Sequence, residues 1–279
     1  MIEYEMSNPP KDYSDSHTSK GNQLKWKEDG YWYKANQFGY EGLSEYVVTY
    51  FLKNVDVPFP FVKYSQAMIR YKKRLYHGCR SRDFYLENPY LQGCEIVPIE
   101  RLHRQYTTRG LSKHLSQIKD VKSRVEYTVE FVRDITGLSD FADYLSFLIQ
   151  IDAFFLNEDR HTNNIAVMWD PIEDKYEYCP YYDFGLSLFS DTGEDFPLSM
   201  GFEECREIIK AKPFSVDFDQ QLDECELLGT HELKFTFPSN KMRSEAENAL
   251  IDYEGDERVK KRIIDTLVYQ ANKYLYMFQ

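Results

Sequence analysis

Apolar and polar positions alternate along the first third of the chain and recur every three to four residues afterwards. Gln23-Leu24-Lys25-Trp26-Lys27 and Tyr31-Trp32-Tyr33-Lys34-Ala35-Asn36 read as two strands, with Glu28-Asp29-Gly30 as the turn between them. Between Glu41 and Lys53, Leu43, Val47, Tyr50 and Phe51 share one helical face, and Pro58 and Pro60 stop anything helical beyond it. Residues 61–84 are rich in aromatic and β-branched residues and predict a second hairpin turning near Lys72-Lys73. The basic run from Arg70 to Arg74 is then a solvated turn. Residues 1–20 are polar and read as extended, with a loop from Tyr13 to Gly21.

From residue 95 onward the pattern changes. The apolar stretch from Glu95 to Leu102 is interrupted by Pro98 and suits an edge strand or a linker between lobes. Residues 121–136 predict a helix with Gly137 as its C-terminal stop. Residues 138–156 predict another, with Leu138, Phe141, Leu145 and Leu148 on one face. Two short strands over 165–169 and 176–179 are joined by a turn through Asp170-Pro171. The remainder is helical in parts, most clearly at the end, where Val259, Ile263, Leu267, Ala271 and Tyr274 form one stripe. Strands first and helices afterwards make an α+β arrangement. The expected division is a β-rich lobe over 1–100 and a helical lobe over 101–279.

Composition narrows the function classes. With 279 residues, 42% of them hydrophobic and 16% aromatic, the chain has ample material for a folded core. A net charge of −12 sets it against direct binding of nucleic acid or an anionic membrane, since phosphate contacts need Lys and Arg. The five cysteines are an odd number with no C-x-x-C pair, which argues against a zinc site or a disulfide framework and for reduced thiols in a cytoplasmic protein. No signal peptide is read at the N-terminus, and no run of about 18 apolar residues exists to span a membrane.

The candidate chemistry lies in Asn157-Glu158-Asp159-Arg160-His161-Thr162-Asn163-Asn164 and in Tyr182-Asp183-Phe184-Gly185. Asn164 follows Asp159 by five residues, the offset of the protein-kinase catalytic loop H-R-D-x-x-x-x-N, and Asp183 opens a D-F-G triplet. Phosphoryl transfer needs this inventory: a carboxylate to receive the hydroxyl proton, then an amide and a carboxylate to hold Mg²⁺ against the phosphates of ATP. Asp159 is the candidate base, and Asn164 and Asp183 are the candidate metal ligands. Taken singly, each suits a polar loop at a helix end; the joined spacing is what discriminates. The predicted hairpin between Asn164 and Asp183 would bring them side by side.

Upstream, Lys34 is the candidate lysine for the ATP phosphates, and Glu45, one turn into the predicted helix, is preferred to Glu41 as its partner. The segment Thr18-Ser19-Lys20-Gly21-Asn22 offers Gly21 and Asn22 as a phosphate cradle, without a G-x-G-x-x-G match, and Lys25 is a further candidate for phosphate contact. His161 suits either contact with the γ-phosphate, positioning of Asp159, or a structural role within the loop. Asn157 is read as a brace for the loop backbone. These residues leave three readings open: a protein kinase, a kinase-fold phosphotransferase acting on a small molecule or lipid, and a nucleotide-binding pseudokinase.

At these positions the chain resembles the HipA-like serine/threonine kinases. Their loop reads approximately N-x-D-x-H-x-K-N, followed by an apolar strand and a segment like A-P-x-Y-D. Here the counterparts are residues 157–164 and Cys179-Pro180-Tyr181-Tyr182-Asp183. Ser44-Glu45-Tyr46 is similar to the family's N-E-Y, with Val57-Pro58 following. The resemblance runs from about Ser19 to the C-terminus and is strongest over 150–190. It implies a two-lobed protein-kinase-like fold, use of ATP and Mg²⁺, and phosphorylation of protein Ser or Thr. Because some relatives are toxins of toxin–antitoxin pairs, it also implies an antitoxin or regulatory protein as a partner. Autophosphorylation in the family's phosphate loop makes Ser19 a candidate here. The chain departs from the pattern at Asn163, which stands where the family has Lys, and in its glycine-poor phosphate loop. It is also short beside full-length HipA toxins, so their additional N-terminal subdomain is not expected.

Overall fold

Side-chain alternation builds the first sheet. In the computed structural model, which describes residues 1–11 and 23–279, strands β1 (Glu3–Glu5), β2 (Lys25–Glu28), β3 (Tyr31–Ala35), β4 (Tyr64–Tyr71) and β5 (Arg74–Arg82) form one sheet in the order β1-β4-β5-β3-β2. Neighbours pair antiparallel except β1, which runs parallel to β4. Trp26, Tyr33, Ala35, Ala67 and Ile69 bury one face together with Met6. The opposite face carries Lys34, directly across from Lys25 on β2 and Cys79 on β5. Both predicted hairpins are present, and the second turns at Lys72 and Lys73, each with positive φ. Strand β1 was not expected; three residues with one half-buried side chain leave no periodic signal.

Helix α1 (Glu41–Leu52) lies on the Lys34 face of the sheet, and Gly42 lets it come close. A Cβ on Gly42 would meet the backbone of Gly78 and Cys79 at 2.4 and 2.7 Å, and one on Gly78 would meet the Lys34 carbonyl at 2.0 Å. Ten of the helix's twelve residues are buried, Glu45 among them.

The second region begins with α2 (Phe84–Glu87) and β6 (Glu95–Pro98). β6 pairs with β7 (Ala166–Asp170), which pairs with β8 (Lys175–Tyr178), all antiparallel. The stretch expected as one interrupted segment is thus an edge strand ending at Pro98 and a helix, α3 (Ile99–Thr107), starting at the next residue. Further helices are α4 (Leu111–Leu115), α5 (Val121–Thr136), α6 (Phe141–Phe155), α7 (Phe202–Ile208), α8 (Phe218–Glu226), α9 (Met242–Ala249) and α10 (Glu257–Lys273).

Helix α5 starts where the Asp120 side chain accepts from the Ser123 amide and stops at Gly137, whose φ of 73° needs no Cβ to be accommodated. Helix α6 is buried along nearly its whole length and forms the axis of the helical lobe. Gln270 of α10, buried, donates to the carbonyls of Ala153 and Phe154 and so satisfies the C-terminal end of α6, where helix carbonyls lack partners of their own. No helix among the described residues is long and apolar enough to cross a membrane.

Candidate functional site

Three charged side chains converge between the sheet and the helical lobe. Lys34 Nζ lies 2.6 Å from Glu45 Oε1 and 2.9 Å from Asp183 Oδ1. The second oxygen of Glu45 accepts the backbone N–H of Phe184 at 2.9 Å, so one carboxylate ties both the β3 lysine and the segment after β8 to α1. Tyr64 on β4 closes the group, with its hydroxyl 3.3 Å from Lys34 Nζ and the ammonium 5.0 Å from its ring centroid. Lys25 faces the same side through its cross-strand register with Lys34.

The electrostatics follow from this crowding. Burial opposes the Lys34 ammonium, but the Asp183 and Glu45 carboxylates outweigh it and hold its pKa well above that of an ordinary lysine. Burial would raise Asp183, yet Lys34 and then Lys25 hold it far below the usual carboxylate range. For Glu45 burial wins, and its pKa stays raised despite Lys34. Burial also pushes Lys25 down, against the pull of Asp183 and with the push of Lys34. The result is two ammonium groups on one sheet face with a carboxylate between them and the other lobe.

The loop after α6 is organised by its own polar atoms. Leu156 ends the helix in the left-handed region, φ 54°. Asn157 Nδ2 then donates to Asp152 Oδ1 at 2.8 Å, and Asn157 Oδ1 accepts the Asp159 amide at 3.1 Å, the brace expected of it. Asn164 Nδ2 donates to the Asp159 carbonyl at 3.0 Å.

Arg160 is the centre of this loop and is fully buried. It grips Asp152 of α6 with two bonds, Nε to Oδ2 at 2.7 Å and Nη2 to Oδ1 at 3.1 Å. Its Nη1 donates to the Asn164 carbonyl at 2.8 Å and to the Tyr182 carbonyl at 2.9 Å. A single nitrogen therefore joins the end of the loop to the residue before Asp183. The β7–β8 hairpin returns the chain to this point, which brings the backbones at 164 and 182 together.

Around the Asp159 carboxylate stand Lys212 Nζ, 2.9 Å from Oδ1, and His161 Nε2, 3.7 Å from Oδ2. Both ring nitrogens of His161 are buried and have no hydrogen-bond partner among the described residues. A histidine hydrogen-bonded within its loop is thus not what the structure shows. Asp183 itself sits at φ 64°. The chain beyond it is fastened to α1: Ser44 Oγ donates to the Phe184 and Ser187 carbonyls at 3.1 and 3.0 Å, and Tyr40 donates to the Leu188 carbonyl at 2.6 Å.

Of the residues singled out in the sequence, Lys34, Glu45, Lys25 and Asp183 meet at one place, and Asp159, His161 and Asn164 share one loop tied to it by Arg160. Ser19, Gly21 and Asn22 lie outside the described residues. Sequence reasoning passed over Arg160, Tyr64 and Lys212. For Arg160 a signal existed: Asp152 is the one charged residue in the apolar run Leu145–Phe155, and a carboxylate in such a helix demands a buried cation. Tyr64 and Lys212 carry no local signal.

No protein-family model matches the chain, and no curated protein matches it by sequence. Among solved structures it is similar to a Helicobacter pylori proinflammatory kinase, CtkA, with a TM-score of 0.57 and 15% sequence identity over 92% of this chain and 89% of that one. The chain therefore has a two-lobed, kinase-like α+β fold.

Proposed function

We propose that this chain is an ATP- and Mg²⁺-dependent kinase that phosphorylates Ser or Thr hydroxyls of proteins, of the HipA-like type. The observation that carries the proposal is the meeting of Lys34, Glu45 and Asp183 in one groove with a loop that holds Asp159 and Asn164. The protein acceptor rests on the resemblance of residues 157–164 and 179–183 to that family's motifs.

The donor set fits a hard divalent cation. The amide oxygen of Asn164 and the carboxylate of Asp183 are the oxygen ligands Mg²⁺ takes when phosphates and water complete its shell. When bound, Mg²⁺ would offset charge on the phosphate oxygens. Lys34, kept charged by its two carboxylates, would bind the α- and β-phosphates, with Lys25 as a second ammonium on the same face.

In the transfer, the acceptor oxygen forms a bond to the γ-phosphorus as the bond from that phosphorus to the β,γ-bridging oxygen breaks. ADP leaves with the electron pair. Asp159 receives the hydroxyl proton and later releases it to solvent. Arg160 and Asn157 hold the loop so that no reorganisation is needed at that moment.

The test is incubation of the whole chain with Mg²⁺ and radiolabelled ATP, beside Asp159→Asn and Asp183→Asn. Label on protein from the parent alone supports the reading. Equal label in all three overturns it, and label on small hydroxylic acceptors only would move the substrate class to small molecules. Phosphopeptide mapping of residues 13–22 decides whether Ser19 is a self-modification site.

A further inference from the structure

Loop 157–164 contains no lysine, and its one arginine is spent on Asp152 in the interior. Among the described residues, a cation against Asp159 comes from elsewhere. Lys212, in the connection between α7 and α8 and 53 residues away in sequence, sets its Nζ 2.9 Å from Asp159 Oδ1. This is not a surface lysine swinging on a loose loop. Its own carbonyl accepts from Nε2 of Gln221 at 3.1 Å, and Gln221 is fully buried on α8. Ala211 before it and Phe214 after it are buried, and the Phe214 carbonyl accepts from Arg124 Nη1 of α5 at 2.6 Å. Two helices, α5 and α8, thus fix the backbone from which the side chain reaches out. The side chain is 39% exposed and its carboxylate partner only 16%, so the ammonium enters the groove from the solvent side.

Partly exposed ion pairs contribute little to stability. A backbone held this firmly to serve such a pair points to a purpose other than folding. We propose that Lys212 is a positioning residue for Asp159: its ammonium holds Oδ1, and through it the orientation of the carboxylate that takes the acceptor proton. The inference rests on the function proposed above and adds a residue to it. The bonds made and broken are those already given; Lys212 stays protonated throughout and exchanges no atom. Its effect is on geometry, where a misplacement of about 1 Å in a reacting group costs roughly 100-fold in rate.

The experiment compares the full chain with Lys212→Met, Lys212→Arg and Asp159→Asn. Transfer from Mg·ATP is followed with the chain itself and with casein as acceptors. Affinity for a non-hydrolysable ATP analogue and the thermal midpoint are measured alongside. Lys212→Met is expected to lose about 10- to 100-fold in kcat, with the analogue affinity and the thermal midpoint close to the parent's. Lys212→Arg, which keeps the charge, is expected to recover most of the rate. Parental kcat in Lys212→Met beside an inactive Asp159→Asn overturns this inference and leaves the proposed function standing. A loss confined to KM, or a loss of rate that tracks a fall in thermal midpoint in both Lys212 variants, also overturns it. No turnover by the parent overturns the proposed function and this inference together.

Discussion

Lys34 and Asp183 are 149 residues apart in the chain and 2.9 Å apart in the structure. One is on the central part of the first sheet and the other follows the hairpin of the second. Their contact makes the groove a single electrostatic unit, since each moves the other's pKa. If the groove transfers phosphate, Asp183→Asn and Asp159→Asn lose several orders of magnitude in turnover, about 4 kcal/mol or more of transition-state stabilisation. Steady-state kinetics with varied Mg²⁺ checks this. A rate within tenfold of the parent in either variant is incompatible with the proposed chemistry.

Glu45 holds both Lys34 and the Phe184 amide. Glu45→Gln keeps the shape and loses the charge that faces the lysine. It is expected to reduce kcat/KM for ATP by about 10-fold or more, with a smaller effect on thermal midpoint than Arg160→Met. Isothermal titration with nucleotide and a melting curve separate the two effects.

Arg160→Met leaves Asp152 as a buried carboxylate facing an apolar chain, its second partner, Asn157, being uncharged. Breaking a buried pair in this way costs about 3–5 kcal/mol. Removing both charges with Asp152→Asn in addition should restore part of that loss, because the uncompensated charge disappears. Denaturant unfolding of the two single variants and the double variant measures the coupling.

Gly78→Ala tests the close approach of strand β5 to strand β3. The new methyl would sit 2.0 Å from the Lys34 carbonyl, so backbone must move. The expected cost is about 1–3 kcal/mol, with nucleotide affinity falling because Lys34 is displaced with its strand. A thermal midpoint equal to the parent's would show that the strands do not pack as described.

Acid pH distinguishes the two carboxylates around Lys34 in the nucleotide-free protein. Asp183 has a folded pKa below its unfolded value of about 3.9, so its stabilisation is present above that value and is lost as pH falls through the folded one. Glu45 has a folded pKa above its unfolded value of about 4.3, so its contribution is full below that value and is lost as pH rises through the folded one. The stability difference between Asp183→Asn and the parent should therefore shrink on acidification below about pH 4. The difference for Glu45→Gln should shift towards the variant as pH rises above about 4. Thermal midpoints from pH 3 to 7 give both slopes; slopes of the same sign would contradict the charge arrangement around Lys34.

The elements with a clear period were readable before any coordinates. The two hairpins, α1, α5, α6 and α10 fall within a few residues of where spacing puts them. What escaped was short or lacked a period: β1, with three residues, and α3, whose first residue follows directly on a proline-terminated strand. Asp159, Asn164, Asp183, Lys34 and Glu45 were singled out by residue type and order, and the structure brings Lys34, Glu45 and Asp183 into contact. Tyr64 and Lys212 carry no local signal, because their importance lies in what they touch, while Arg160 is announced only by Asp152 in its apolar helix.

The sequence by itself determined the alternation that makes a sheet, the stripes that make helices, and the inventory of carboxylates, amides and lysines, since all of these depend on neighbours a few positions apart. Tertiary structure decided which of those groups meet. Lys212 reaches Asp159 across 53 residues, and Lys34 reaches Asp183 across 149. Such pairings arise when two sheets and a buried helix pack at fixed distances, and packing of that kind leaves no local period for a reader of the chain to find.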